Sequence, residues 1–346
     1  MRQTGDNRKV CHAYATAAVG VRNGWEWHVS RRLYIHVGPR KTATSTIQQT
    51  LASHDNSVVF YPRVGRGLGG AGQAHGHHGL VHGFFGGNED RDVLMDLLAA
   101  ECRETDRDIL LSAEIVDKKD IGALAQALLD RLNVAMDVEI IFACREHFSR
   151  AASLYNHRAR RKKSHDYGLP DQFLAECASE LCYAPLVRNL RRTGFAITAL
   201  NYHPSSDWVE RFLAHVGFSG DQMPSISSNL VAFSPKMLVA YLGLKEISSE
   251  ERRREIRRAF SRIADARAPS GFIFGPDAAE VAEQQFAGDR QFLKDEFGIE
   301  LVPPPPETRG IGLRIGAEEF ADIAAVTEDF GAEGQAVADF ASRFVR

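Results

Sequence analysis

The sequence predicts an α/β protein of three layers, with helices on both faces of a central parallel sheet and further helices towards the C-terminus. Three observations predict it. Short apolar runs alternate with segments of helical period, the pattern of repeated strand-helix units. The run VEIIFAC at 138–144 is almost continuously apolar, as a strand buried on both faces requires. The first strand candidate leads through a Gly-Pro turn straight into a Thr/Ser-rich helix start.

Taken in order, residues 1–30 are small and polar without periodicity, and they read as a flexible N-terminal extension or a start placed too far upstream. Leu33, Ile35 and Val37 alternate up to Gly38-Pro39, which marks a strand, and residues 47–51 continue as a helix. Further strands fall at 58–61, 108–112, 138–144 and 195–201. Helices fall near 93–104, 121–132, 148–162 and 208–216. Beyond about Ser219 the pattern is helical, at 235–247, 250–266 and 277–296. Pro303 to Pro306 form a stiff spacer, and a tail rich in Ala, Gly and acidic residues follows, either a docked helix or an interaction segment. Three regions result: the extension 1–30, an α/β domain with a helical C-terminal part at 31–302, and the spacer and tail at 303–346.

Composition narrows the function classes. The 346 residues carry 42 Lys plus Arg against 45 Asp plus Glu, so no overall basic field favours nucleic acid. Basic residues concentrate locally at Arg150, Arg158, Arg160, Arg161, Lys162 and Lys163, as a positive rim or a solvated helix end. The mixed run ERRREIRR at 251–258 reads as a charged helix face. Cys11, Cys102, Cys144, Cys177 and Cys182 have neither metal-ligand spacing nor a secreted disulfide pattern, which points to a reducing compartment. No stretch has the length of a transmembrane helix, and the N-terminus lacks an apolar signal core, so a cytoplasmic protein is expected.

The chemistry-bearing segment is LYIHVGPRKTATSTIQQTL at 33–51. A loop between strand and helix exposes unpaired N–H groups at the positive end of the helix dipole. Lys41 and several hydroxyls add to a site for a dianionic group. A Walker A loop needs its second Gly and its Lys five and six residues after the first Gly. Here Ala43 and Thr44 stand there, and Lys41 follows Gly38 by three. An ordinary ATP or GTP loop is therefore disfavoured, although the arrangement is P-loop-like.

The segment His36-Val37-Gly38-Pro39-Arg40-Lys41-Thr42-Ala43-Thr44-Ser45 resembles the 5′-phosphosulfate loop of bacterial sulfotransferases that use 3′-phosphoadenosine-5′-phosphosulfate (PAPS), with Ala43 for the usual Gly and Ser45 for a Thr. A second segment resembles the same family. Arg145 ends a buried strand and Ser153 follows eight residues later, within REHFSRAASLYNH. That is similar to the family's Arg-x-Pro-x-x-Arg-x-x-Ser-x-Tyr element, with Glu146-His147 for the usual acidic-Pro pair. FAGDR at 286–290 looks like the family's late helix. Each motif alone has an ordinary reading, as a helix cap or a surface ion pair; their joint occurrence in this order carries the resemblance.

The resemblance implies a sulfotransferase that moves the sulfuryl group of PAPS to a hydroxyl or amine by in-line displacement, with no metal. Arg40, Lys41, Thr42, Ala43, Thr44, Ser45 and Thr46 would hold the 5′-phosphate, Arg145 and Ser153 the 3′-phosphate, and Lys41 would stabilise the leaving group. His36 lies near the strand end, as a substrate contact or a structural residue. The general base is His78, from the His- and Gly-rich loop 65–87 that also holds His75, His77 and His82, or Glu114, from the strand-end Ser112-Ala113-Glu114. The Gly-rich loop reads as a mobile lid. The acceptor class stays open among carbohydrates, glycolipids and small alcohols, with Tyr61 to Arg63 and Tyr155 to Arg158 as possible pocket walls. The alternatives are a kinase with an atypical nucleotide loop, for which no strand-end Walker B aspartate stands out, and a nucleotide-binding protein without turnover.

Overall fold

The computed structural model describes residues 31–53, 58–67, 75–86, 91–114, 119–160, 168–203, 207–220, 233–264 and 273–346. The proposed extension 1–30, the basic residues 161–163 and part of the Gly-rich loop, 68–74, lie outside the described residues.

Strand β1 (Arg32–Gly38) is followed by α1 (Thr44–Ser53), β2 (Val59–Phe60), α2 (His78–Phe85), α3 (Arg91–Arg103), β3 (Asp108–Glu114), α4 (Ile121–Leu132), β4 (Asp137–Arg145) and α5 (His147–Arg160). Then come α6 (Pro170–Leu181), α7 (Ala184–Arg191), β5 (Ala196–Tyr202) and α8 (Trp208–His215). The strands form one sheet of order β2-β3-β1-β4-β5, all parallel. The register sets His36 beside Ser112 and Gly38 beside Glu114 on one side of β1, and His36 beside Ile141 on the other.

Alternation along β1 serves two cores. Leu33, Ile35 and Val37 pack with residues of α2, α3, α4 and α7 on one face. Tyr34 packs with Ile47 and Leu51 of α1 and Trp208 and Phe212 of α8 on the other. Coverage of both faces is what a parallel sheet needs, and it makes the fold a three-layer α/β/α. Because β1 feeds α1 while β3 and β4 flank it, the carboxyl ends of these strands open at a topological switch point, the usual place for a ligand.

The C-terminal half adds α9 (Pro235–Gly243), α10 (Glu250–Ala259), α11 (Pro276–Phe297), α12 (Pro306–Arg309), α13 (Ala317–Thr327) and α14 (Gly331–Ser342). Residues 317–342 are docked helices: Ile323, Val337 and Phe340 share one core with Phe148, Phe173, Leu238 and Phe286. Gly334 makes the α13–α14 approach possible, since a Cβ there would sit 1.8 Å from the carbonyl oxygen of Thr327. A parallel bridge between Ile315 and Val345 closes the end of the chain onto the same unit.

Three features depart from the sequence reading. Strand β2 is two residues long where four were expected. Helices α6 and α7 occupy the interval between α5 and β5, where no element was read. Helix α2 lies within the expected Gly-rich lid, and its first turn is fixed by buried bonds described below. Within that loop His77 is hydrogen-bonded to Pro62 and Ser112 on two other segments.

Phe340 is 6 % exposed in the helical core, so Phe340→Ala is expected to cost about 3 kcal/mol. Urea unfolding followed by circular dichroism measures it, with one transition for both halves.

Candidate functional site

The turn after β1 is built by backbone conformations that side-chain-bearing residues rarely adopt. Lys41 has φ +71° and Ala43 φ +57°. Each left-handed residue costs roughly 1–2 kcal/mol, and local bonds hold the shape. The Thr42 hydroxyl donates to Pro39 O at 2.7 Å, and Thr46 N and Ile47 N both donate to Ala43 O. Gly38 is required beneath this turn, because a Cβ there would lie 2.2 Å from Thr44 Oγ1. Ala43, where the resemblance expects a Gly, adopts a left-handed, glycine-like conformation.

The loop hydroxyls divide into two groups. Thr42, Thr44 and Thr46 are buried, whereas Ser45 and Arg40 are exposed and Lys41 is half-buried. The Thr42 hydroxyl, bonded to Pro39 O, folds the turn; Ser45 and Lys41 are the more exposed of the polar side chains that follow Arg40 in the loop.

Arg145 reaches this loop from β4. Its Nη1 donates to Lys41 O at 3.0 Å, Nε and Nη2 donate to Ser149 Oγ, and the guanidinium lies 5.3 Å from the Tyr202 ring centre. Burial lowers its pKa without discharging it. Ser153, expected to join Arg145 in holding a 3′-phosphate, stands one turn beyond Ser149 on α5 and is half-buried. The hydroxyl bonded to the Arg145 guanidinium is that of Ser149.

On the other side of the loop the three catalytic candidates come together. Glu114 ends β3 beside Gly38. Burial raises its carboxyl pKa, opposed by the charges of Lys41 and Arg40. His78 opens α2; burial lowers its pKa, His82 pushes the same way and the Glu114 main chain opposes. Its Nδ1 is buried without a hydrogen-bond partner. The carboxyl is thus shifted up and the imidazole down by the same cause, burial.

His36 and His77 are structural. His77 Nδ1 accepts from Ser112 N at 3.1 Å, its Nε2 donates to Pro62 O at 3.0 Å, and its own N–H donates to Ser112 O at 2.7 Å. His36 Nδ1 bonds Ser112 Oγ at 2.9 Å, and Gln48 Nε2 donates to the carbonyl and hydroxyl of the same serine. Burial drives both imidazoles down to about 3.

A scan of protein-family models and a search of curated proteins each find no match to this chain. Among the described residues no helix is long and apolar enough to cross a membrane, and no group of His, Cys, Asp or Glu is arranged to hold a metal ion.

Sequence reasoning missed a third support. Asp289 of α11 accepts from Tyr183 N, Ala184 N and His147 Nε2, all at 2.8 Å. Tyr183 OH accepts from Arg145 N and donates to Arg145 O. Asp289 was visible inside FAGDR, but its partners lie more than 100 residues away.

Both imidazoles resist protonation only in the folded state, so stability present above the ordinary histidine value of 6.5 falls as pH drops towards about 3. His77→Ala is expected to cost about 2 kcal/mol at neutral pH and to make that acid slope shallower, read from urea unfolding across the window. Gly38→Ala is expected to destabilise by about 1–3 kcal/mol through the clash with Thr44, by the same measurement.

Proposed function

We propose that the protein is a PAPS-dependent sulfotransferase of the P-loop-like type, acting on a hydroxyl or amine. The observation that carries the reading is the loop from Gly38 to Thr46, a left-handed turn at a helix N-terminus with Lys41 in it and the Arg145 guanidinium bonded to its main chain. The donor set fits a phosphosulfate: amides and Ser45 for equatorial oxygens, an ammonium for the bridging oxygen, and a guanidinium behind the loop for a second phosphate.

PAPS supplies a sulfuryl group on a phosphate leaving group. The chain's residues hold it in line with the acceptor. As the acceptor oxygen or nitrogen bonds to sulfur and the sulfur–oxygen bond to the 5′-phosphate breaks, the phosphate keeps the electron pair and Lys41 stabilises that charge. The acceptor proton passes to Glu114 or to His78. Glu114 stands next to Lys41, and the position of His78 at the start of α2 beside the Glu114 main chain keeps the histidine as the alternative base.

Titration calorimetry with 3′-phosphoadenosine-5′-phosphate, 5′-AMP and magnesium-ATP tests the reading. Selective binding of the bisphosphate is expected, Arg145→Ala should abolish the preference for the 3′-phosphate, and Lys41→Ala should lower turnover by on the order of a hundredfold. Preference for magnesium-ATP would overturn the reading in favour of a kinase.

A further inference from the structure

The loop after β1 directs its carbonyls into the protein. Pro39 O accepts from the Thr42 hydroxyl, Arg40 O from Arg150 Nε, Lys41 O from Arg145 Nη1, and Ala43 O from the amides of Thr46 and Ile47. The peptide bonds of the described residues are trans, so in each one the C=O and the N–H point in opposite directions. Fixing the carbonyls of Arg40 and Lys41 therefore aims the amides of Lys41 and Thr42 away from the two guanidiniums.

Arg150 is itself held rigidly. It is 7 % exposed, and beside its 3.2 Å bond to Arg40 O its Nη1 donates to Leu181 O at 2.8 Å. Its guanidinium stands 4.9 Å from the centre of the Tyr183 ring, and the Tyr183 hydroxyl brackets the main chain of Arg145, so one tyrosine orients both arginines. The fork of Arg150 spans two segments, the loop and the last residue of α6. A lysine ammonium carries the same charge without that fixed, planar fork. Arg40 O and Lys41 O flank the left-handed Lys41, a conformation that persists only where its surroundings over-determine it.

We propose that Arg150 is a positioning residue for the anion loop: by holding Arg40 O while Arg145 holds Lys41 O, it keeps the turn left-handed and its amides aimed at a bound 5′-phosphate. The proposal deepens the transferase reading and rests on it for the identity of the anion. Arg150 acts through the loop and touches no ligand. It also borders a cavity of about 250 Å³, so a direct contact has to be told apart from action through the loop.

Titration calorimetry on the full-length protein makes that distinction with 3′-phosphoadenosine-5′-phosphate and adenosine 3′-monophosphate, which lacks only the 5′-phosphate. The ratio of the two affinities reads the loop. The parent protein is expected to favour the bisphosphate, and Arg150→Gln and Arg150→Lys are each expected to lower the ratio by about tenfold while binding the 3′-monophosphate as the parent does. If Arg150→Gln fails to fold, Arg150→Lys decides by itself. An unchanged ratio overturns the proposal, as does a ratio restored in full by Arg150→Lys, which would assign the effect to charge instead of the fork. Equal weakening of both nucleotides also overturns it, since general support of the fold or a direct contact with the 3′-phosphate would act that way. A parent protein that binds the two nucleotides equally overturns the transferase reading and this proposal with it, whereas an unchanged ratio in variants of a discriminating parent sinks the role of Arg150 alone.

Discussion

The site depends on how the open edge of β3 is closed. Strand β2 pairs with β3 only at Asp108 and Ile109, so among the described residues no strand lies beside Ser112 on that edge. A buried peptide group without partners costs about 1–3 kcal/mol, and here His77 takes the place of the missing strand. Its main chain donates to Ser112 O while its ring accepts from Ser112 N. That pairing has a positional consequence. It fastens the first turn of α2 to the end of β3 and so sets His78 near Glu114, while the β1–β3 register sets Glu114 beside Gly38 at the start of the Lys41 turn. Gln48 and His36 bond the same serine from α1 and β1, so four segments meet at one residue. Because the His77 ring must be neutral to accept at Nδ1 and donate at Nε2, the arrangement is tied to pH as well as to packing.

The strained turn is stabilised from the opposite side. Two left-handed residues that are not glycine persist only where the surroundings over-determine them. Arg145 bonds the carbonyl of Lys41, Tyr183 brackets the main chain of Arg145, and Asp289 holds the amide of Tyr183. The C-terminal helices thus reach the loop through a chain of buried hydrogen bonds, although none of α9 to α14 contributes a residue to the loop itself. His147 belongs to this chain, donating to Asp289 while stacked 4.6 Å from Phe286. A proline at that position would lack the side-chain donor.

Charge is partitioned about the same turn. On the β3 side a buried carboxyl faces Lys41 and Arg40, and burial outweighs their attraction, which raises its pKa. On the α5 side three guanidiniums stand over leucines around a cavity. A near-neutral chain with a net formal charge of −3 thus gathers Arg40, Arg150 and Arg158 around one cavity. Formal charge counts do not reveal such focusing, because it depends on which arginines are brought together.

The sequence by itself determined the parallel α/β class, most strand and helix positions and the turn that joins the first strand to the first helix, because these follow from short-range periodicity and from a local turn signature. The apolar run 138–144 and the Gly-Pro turn after Val37 need no partner to be recognised. Tertiary structure decided what depends on distant partners: that Ser149 is the serine on Arg145, that the Thr42 hydroxyl closes the turn, that His77 replaces a strand, and that Asp289 supports the loop from α11. Helices α6 and α7 lack side-chain N-caps, yet the proline at the start of each, Pro170 and Pro185, and the apolar period of Phe173, Leu174, Cys177, Leu181 and of Leu186, Val187, Leu190 were local signals that the reading passed over. The pairings that tertiary structure decided share one physical reason. A hydrogen bond between residues 35 or 142 positions apart leaves no periodic trace in the chain, and only the folded backbone brings its two ends within reach.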